Sequence, residues 1–229
     1  MAALRSWADR AALDAGFAAE VAGHLAAGIA ARGAASLVVS GGRTPAGFLQ
    51  ALATHPLDWS RVWVTLADER WVDADHDASN ERLLRASLQQ GPAAAAHVVG
   101  LKTAAASPQA GLAEVAERLA ALPRPFDVVV LGMGDDGHTA SLFPDAPELA
   151  AALASTAAVA ALTPGAAPHA RISLTPAALL DTGALYLHIV GADKQAVLER
   201  ALADGPVEEL PIRFALRQTR VPCSIQWAP

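Results

Sequence analysis

The sequence predicts an α/β fold, a mostly parallel, doubly wound sheet flanked by helices and formed by a single domain over residues 1–229. Three observations point there. Short aliphatic runs alternate with alanine-rich stretches whose apolar residues recur at spacings of three and four. Polar clusters sit just after several of those runs, where open parallel sheets place their binding residues. The composition, 53% hydrophobic but only 5% aromatic, suits helices of small residues packed on an aliphatic sheet.

The elements follow in order. Residues 7–32 have the apolar spacing of an amphipathic helix that stops near Gly33. Residues 37–39 form a short buried strand, and Ser40 to Thr44 a turn. Thr44 followed by Pro45 reads as the N-cap and first position of a helix through Ala53. A strand over 62–66 runs into Asp68, Glu69 and Arg70; a polar loop over 71–79 then leads to a helix over 80–89. Residues 97–99 are a weak strand, 107–121 an amphipathic helix, and 127–131 the strongest strand of the chain. Residues 146–167 are nearly featureless alanine, with no periodicity that places elements. Strands over 172–174 and 184–190 flank a short helix opened by Thr175 and Pro176. Asp193 reads as the N-cap of a helix to about Ala203, and residues 224–227 as a closing strand. No internal repeat or linker divides the chain.

Bulk properties exclude several functions. The net charge of −6 argues against a nucleic-acid surface, which needs a basic stripe. No apolar run approaches bilayer thickness, and the start MAALRSWADR lacks the character of a signal peptide, so a soluble cytoplasmic protein is expected. Cys223 is the single cysteine, which rules out an internal disulfide and a multi-cysteine metal site. Lys102 and Lys194 are the only lysines, so each is a candidate for a localised cationic role.

The most informative segment is LGMGDDGHTASLFP, residues 131–144, which follows Val128, Val129 and Val130. Three glycines permit a tight turn there and leave Asp135, Asp136 and His138 at the mouth of the sheet. The segment matches the dinucleotide pattern G-x-G-x-x-G literally, but three features oppose that reading. Pro144 interrupts where a long helix should begin, and the two aspartates would repel pyrophosphate. No acidic residue falls between Leu149 and Pro164, where a ribose-binding carboxylate belongs. His138 with Asp136 two residues before it suits general-base work instead, the carboxylate orienting the ring and stabilising its cation.

Other segments supply binding groups. Gly41, Gly42, Arg43 and Thr44 form a turn before a helix, a cradle for phosphate through backbone N–H groups, the hydroxyl and the helix N-terminus. Lys194 falls in the first turn of its helix, where the dipole disfavours a cation unless an anion is bound. Asp68, Glu69 and Arg70 end a strand, so at least one of their side chains should face the cleft; Asp68 is a candidate binding residue, and the planar fork of Arg70 suits a phosphate, carboxylate or oxyanion. Arg171 fits either a surface charge or a second phosphate contact. The histidines at 24, 55, 76, 97, 169 and 188 lack clustered partners and read as structural or surface residues. No H-E-x-x-H zinc spacing occurs.

Taken together, SGGRTP (40–45), ADERWV (67–72) with Ser79 and Asn80, residues 131–144, RISLTPAALL (171–180) and GADK (191–194) resemble the 6-phosphogluconolactonase family. That family is a branch of a larger group containing glucosamine-6-phosphate deaminases. The resemblance implies a modified Rossmann-like α/β sheet and hydrolysis of 6-phospho-D-glucono-1,5-lactone to 6-phosphogluconate in the oxidative pentose phosphate pathway. It implies no metal and no organic cofactor, and a small sugar-phosphate lactone as substrate; with charge and hydropathy excluding nucleic acid and membrane, a monomer or small homo-oligomer is expected. It makes His138 the general base and Lys194 with the glycine-rich turn the phosphate site; the chemistry of lactone opening adds Asp136 to orient His138, and Arg70 or loop N–H groups to stabilise the oxyanion. The deaminase branch carries a glutamate five positions after the histidine and a tyrosine after Asp-Glu; here those positions are Phe143 and Arg70. A sugar-phosphate-binding regulator without catalysis is the remaining alternative, and the chain lacks an attached DNA-binding helix pair.

Overall fold

Seven aliphatic segments line up side by side in the computed structural model, which describes residues 2–229. The strands β1 (Ala3–Ser6), β2 (Ala35–Val39), β3 (Val62–Leu66), β5 (His97–Val99), β6 (Phe126–Leu131), β9 (Thr182–Val190) and β10 (Cys223–Ala228) form one sheet in the order β1-β10-β9-β6-β2-β3-β5. All six pairings are parallel. The chain winds outward from β2 through β3 to β5, returns to β6 on the other side of β2, and winds outward again. The carboxyl ends of β2 and β6 therefore flank the point where the direction of winding reverses, which is where open α/β sheets bind ligands.

A second, antiparallel sheet of β4 (Asp68–Arg70), β8 (Arg171–Leu174) and β7 (Val159–Leu162) rises from the end of β3. Ala67 joins the two sheets: its N–H donates to the Val39 carbonyl, and its own carbonyl accepts from Leu174 N–H, both at 2.8 Å. From sequence, 68–70 reads as the end of the strand over 62–66 rather than as a strand of its own, and 146–167 shows no elements. Three residues are too few to show alternation, and β7 is two alanines between Val159 and Leu162, so neither strand is visible without its partner.

The helices pack on the large sheet for local reasons. In α1 (Arg10–Arg32), Leu13, Phe17, Val21 and Leu25 are fully buried on one stripe. Asp9 caps its start by accepting from Ala12 N–H at 2.8 Å, and Gly33 closes it in the left-handed region. The helix therefore begins at Arg10 rather than residue 7: β1, an exposed edge strand, runs to Ser6, and Trp7 still follows the sheet, its N–H donating to the Trp227 carbonyl at 2.9 Å. The closing strand expected over 224–227 is β10, the last strand of the chain; it lies inside the sheet, with β1 at the edge beyond it. Helices α2 (Pro45–Ala53), α3 (Asn80–Leu88) and α4 (Pro108–Ala120) match the expected segments, with Ser79 and Ser107 capping the last two through their hydroxyls. The short α5 (Leu149–Ala154), α6 (Pro176–Leu179) and α8 (Arg213–Arg217) and the longer α7 (Ala192–Leu202) complete the set. Among the described residues, no helix is long and apolar enough to cross a membrane.

Candidate active site

β6 ends at Leu131, and the chain then turns back on itself instead of entering a helix; the next helix begins only at Leu149. The turn is held by hydrogen bonds at both ends. Gly132 N–H donates to Ser40 Oγ at 3.0 Å, and the Thr139 hydroxyl donates to the Gly132 carbonyl at 2.8 Å. Gly134 N–H donates to the His138 carbonyl at 2.9 Å. A Cβ at Gly134 would run into the His138 ring, so glycine there is what lets the imidazole lie against the turn. Gly137 has φ +75°, and the Ile212 N–H donates to its carbonyl at 2.9 Å.

One oxygen of Asp136 serves His138 twice. It accepts from the backbone N–H at 3.1 Å and from the ring Nδ1 at 2.6 Å. An ionised carboxylate only accepts, so Nδ1 carries the proton and Nε2 of the neutral ring keeps its lone pair. Burial pulls the Asp136 carboxyl upward, but the hydrogen bonds and charge of His138 outweigh it and leave it below the ordinary aspartate value. Phe143 covers the imidazole, with ring centroids 3.8 Å apart.

The neighbouring Asp135 does something else. Its carboxylate accepts from Lys194 Nζ at 2.6 Å, so the two adjacent aspartates serve different cations. Lys194 lies in the first turn of α7, as expected, although the cap differs. Gly191, at φ +96°, precedes the helix, and Asp193 sits inside its first turn, where a negative charge suits the dipole.

Across the cleft, Gly41, Gly42 and Thr44 line the wall beside Lys194 and His138. Thr44 precedes α2 in helical geometry, and its side chain makes no cap bond, which corrects the N-cap expectation. The Arg10 guanidinium fixes the turn from behind by donating to the carbonyls of Arg43 at 3.3 Å and Thr44 at 2.9 Å. Arg43 itself is exposed and is not among the residues lining the cleft.

The small antiparallel sheet supplies the opposite wall. Arg70 and Arg171 are paired across β4 and β8, and both line the cleft. Asp68 accepts from the Ser141 hydroxyl at 2.5 Å and lies 3.8 Å from Arg171. Burial lowers the Arg171 proton affinity, partly offset by Asp68. Arg70 donates to the Ala78 carbonyl at 2.6 Å. The Nε atoms of both arginines are buried and meet no acceptor among the described residues. Glu69 points the other way, fully buried, accepting from the N–H groups of Arg70, Asn80 and Glu81 and the Ser79 hydroxyl. It anchors the start of α3 and takes no part in the cleft.

The cleft thus gathers His138, Arg70, Asp68, Gly41, Gly42, Thr44, Arg171 and Lys194, with Asp136 behind His138. Among the lining residues not picked out from the sequence, two carry polar side chains of note. Asn80 presses against Gly41 and donates to the Asp68 carbonyl at 2.9 Å. His188, read from sequence as structural or surface, is 3% exposed and lines the cleft.

A parallel α/β sheet whose switch point holds a histidine–carboxylate pair facing separate cationic groups defines an acid–base enzyme of small anionic ligands. The chain belongs to the family of glucosamine-6-phosphate isomerases/6-phosphogluconolactonase, whose model matches residues 8–223. It is 47% identical to a 6-phosphogluconolactonase of Rhizobium meliloti over 95% of both chains. It is 45% identical to one of Pseudomonas aeruginosa over 99% of this chain and 94% of the relative. Its structure superposes on a crystal structure of a 6-phosphogluconolactonase from Shewanella baltica with TM-score 0.99 and 46% identity, covering 100% of this chain and 98% of that one.

Proposed function

We propose that this chain is a 6-phosphogluconolactonase, hydrolysing 6-phospho-D-glucono-1,5-lactone to 6-phosphogluconate in the oxidative pentose phosphate pathway. The observation that carries the reading is the His138–Asp136 pair, with Phe143 where the deaminase branch would need a glutamate. Phenylalanine moves no protons, whereas lactone opening needs only one acid–base group.

The steps follow from the geometry. The substrate phosphate is held by Lys194, Gly41, Gly42 and Thr44, with Arg171 and Asp68 on the facing wall. Nε2 of His138 takes a proton from water as its oxygen attacks the lactone carbonyl, and Asp136 stabilises the imidazolium. The carbonyl oxygen becomes an oxyanion facing Arg70 and the N–H groups of the turn. Collapse breaks the bond from the carbonyl carbon to the ring oxygen, His138 returns its proton to that oxygen, and the new carboxyl group ionises. No covalent intermediate is needed, because an ester is already reactive toward water.

The protein works on a small molecule in the cytoplasm, as a monomer or small homo-oligomer of one domain. The net charge of −6 supports the exclusion of nucleic acid and of anionic membrane surfaces. The test is lactone hydrolysis with substrate generated in place from glucose 6-phosphate, against the spontaneous rate, with ammonia release from glucosamine 6-phosphate measured alongside. Acceleration of lactone opening without ammonia release is expected. Ammonia release, or no acceleration by folded protein, overturns the assignment.

A further inference from the structure

The glycine-rich turn that lines the cleft with Lys194 lacks the usual restraints of a helix start. Among the described residues, the N–H groups of Gly41, Gly42, Arg43 and Thr44 find no acceptor, and the Thr44 side chain makes no cap bond to α2. A turn in that condition has to be held from outside, and two residues of α1 do so. Arg10 Nη2 donates to the carbonyls of Arg43 at 3.3 Å and Thr44 at 2.9 Å. Its Nε lies 3.6 Å from Asp14 Oδ2, one turn further along α1. Asp14 in turn lies against the start of α2, where a Cβ at Gly47 would come within 2.1 Å of the carboxylate. That is an unfavourable place for it. One carboxylate oxygen is buried without a donor among the described residues, and burial raises the proton affinity above the ordinary aspartate value, with the Arg10 charge pulling the other way. A small apolar residue would pack α1 on α2 without that cost, so the guanidinium is what gives the carboxylate its place.

The bonds from Arg10 set the direction of a peptide. In a trans peptide the C=O and the following N–H point to opposite sides, so an Arg43 carbonyl drawn toward Arg10 turns the Thr44 N–H away from it. Thr44 lines the cleft and Arg10 does not. The next peptide has no N–H to direct, since Pro45 follows, and the fixed φ of proline carries the chain into α2. We propose that Arg10, held by Asp14, is a positioning residue for the substrate phosphate, gripping the outer side of the glycine-rich turn so that the Thr44 N–H stands ready on the cleft side. This rests on the reading that the phosphate occupies that turn. Arg10 itself touches no ligand. Ordering the turn before the ligand arrives removes an entropy loss that binding would otherwise carry. Arginine suits the task because its planar fork reaches two carbonyls and a carboxylate in fixed directions, which an ammonium group does not.

The test is calorimetric binding of inorganic phosphate and of 6-phosphogluconate to the wild type, Arg10→Met, Arg10→Lys, Asp14→Asn and Lys194→Ala, with steady-state kinetics and melting curves of each. Arg10→Met and Arg10→Lys are both expected to weaken the two ligands about tenfold and to raise KM by the same factor, with kcat changed less than about twofold. A contact that only stitched α1 to the turn would lower the melting temperature and leave affinity and KM alone. That result, with binding lost in Lys194→Ala, overturns the proposal and leaves the phosphate subsite standing. Arg10→Lys binding as tightly as the wild type overturns it too, since charge without the grip then suffices. Asp14→Asn removes a negative charge near the anion, so a purely electrostatic role predicts tighter binding, whereas release of Arg10 predicts binding weakened about threefold. Unchanged or tighter binding therefore overturns the part given to Asp14. In the wild type, the Thr44 amide proton should move downfield as inorganic phosphate is added, a readout that does not depend on any variant folding; an unmoved resonance at saturating phosphate contradicts the proposal. If Lys194→Ala also binds phosphate normally, the subsite reading itself fails and the proposal falls with it.

Discussion

Phe143 lies nearly parallel to His138, with planes 21° apart, while Asp136 holds the ring edge at 2.6 Å. The imidazole is thus fixed in two directions, by a face and by an edge, and its remaining nitrogen is set toward the cleft. Phe143 also packs with Leu142, Leu149 and Leu162 in a small apolar cluster under the second sheet, so the stacking ring is itself immobilised. Replacing Phe143 with leucine keeps most of the volume and removes the stack. A stacked aromatic pair contributes about 1 kcal/mol, so kcat should fall about fivefold with KM little changed. Steady-state kinetics of the folded variant check this.

Asp136→Asn tests the edge contact. An amide can present its NH2 group to Nδ1 and favour the tautomer with the proton on Nε2, which cannot accept one from water. Turnover should drop by on the order of 10²-fold or more, with phosphate binding preserved. Calorimetry with 6-phosphogluconate beside the rate assay separates the two effects.

Asp135 occupies Lys194 but is itself 85% exposed in its side chain, so their ion pair is a weak one. A substrate phosphate has to compete with it. Asp135→Asn should therefore lower KM by about two- to fivefold, whereas Lys194→Ala should raise it by roughly 10- to 100-fold. Raising the salt concentration should narrow the difference between wild type and Asp135→Asn.

Glu69 is adjacent to two cleft residues, yet its role is architectural. Four donors converge on its buried carboxylate, and burial raises its proton affinity above the ordinary glutamate value despite them. Glu69→Ala leaves those donors unmet and should cost about 2–4 kcal/mol, a fall of roughly 5–15 °C in melting temperature. Thermal unfolding measures it directly.

Stability should also fall on acidification for a nameable reason. His188 titrates at about 4 in the folded chain and at 6.5 in the ordinary case. Between those values the unfolded chain binds a proton that the folded chain refuses. The contribution is therefore complete above pH 6.5 and lost progressively as pH falls toward 4, by about 3 kcal/mol in all. Asp136, whose value is lowered, works in the same direction at more acidic pH, and Glu69, whose value is raised, works against it. Melting curves from pH 7.5 to 4.5 should show a steeper decline in the wild type than in His188→Phe.

Much of the large sheet was legible because its strands are aliphatic runs of five or six residues with helical periodicity between them. Leu37 to Val39, Val62 to Leu66 and Val128 to Leu131 needed no partner to be recognised. Of the second sheet only β8 was legible, as the strand over 172–174; β4 is Asp-Glu-Arg and β7 is mostly alanine, and their strand character comes from pairing with β8. The chemistry-bearing residues stood out where glycine and charge cluster after a strand, as at 132–138. Arg43 shared that signature but is exposed and not among the residues lining the cleft. His188 is buried, as a structural histidine is, and an isolated histidine inside an aliphatic strand carries no local sign that a cleft lies beside it.

The most direct test compares wild type with His138→Ala for opening of 6-phosphogluconolactone generated in place, each corrected for the spontaneous rate. Loss of a positioned general base should lower kcat by about 10²- to 10⁴-fold while 6-phosphogluconate still binds. A folded His138→Ala variant that opens the lactone at the wild-type rate would contradict the account, and the proton acceptor would have to be sought elsewhere in the cleft.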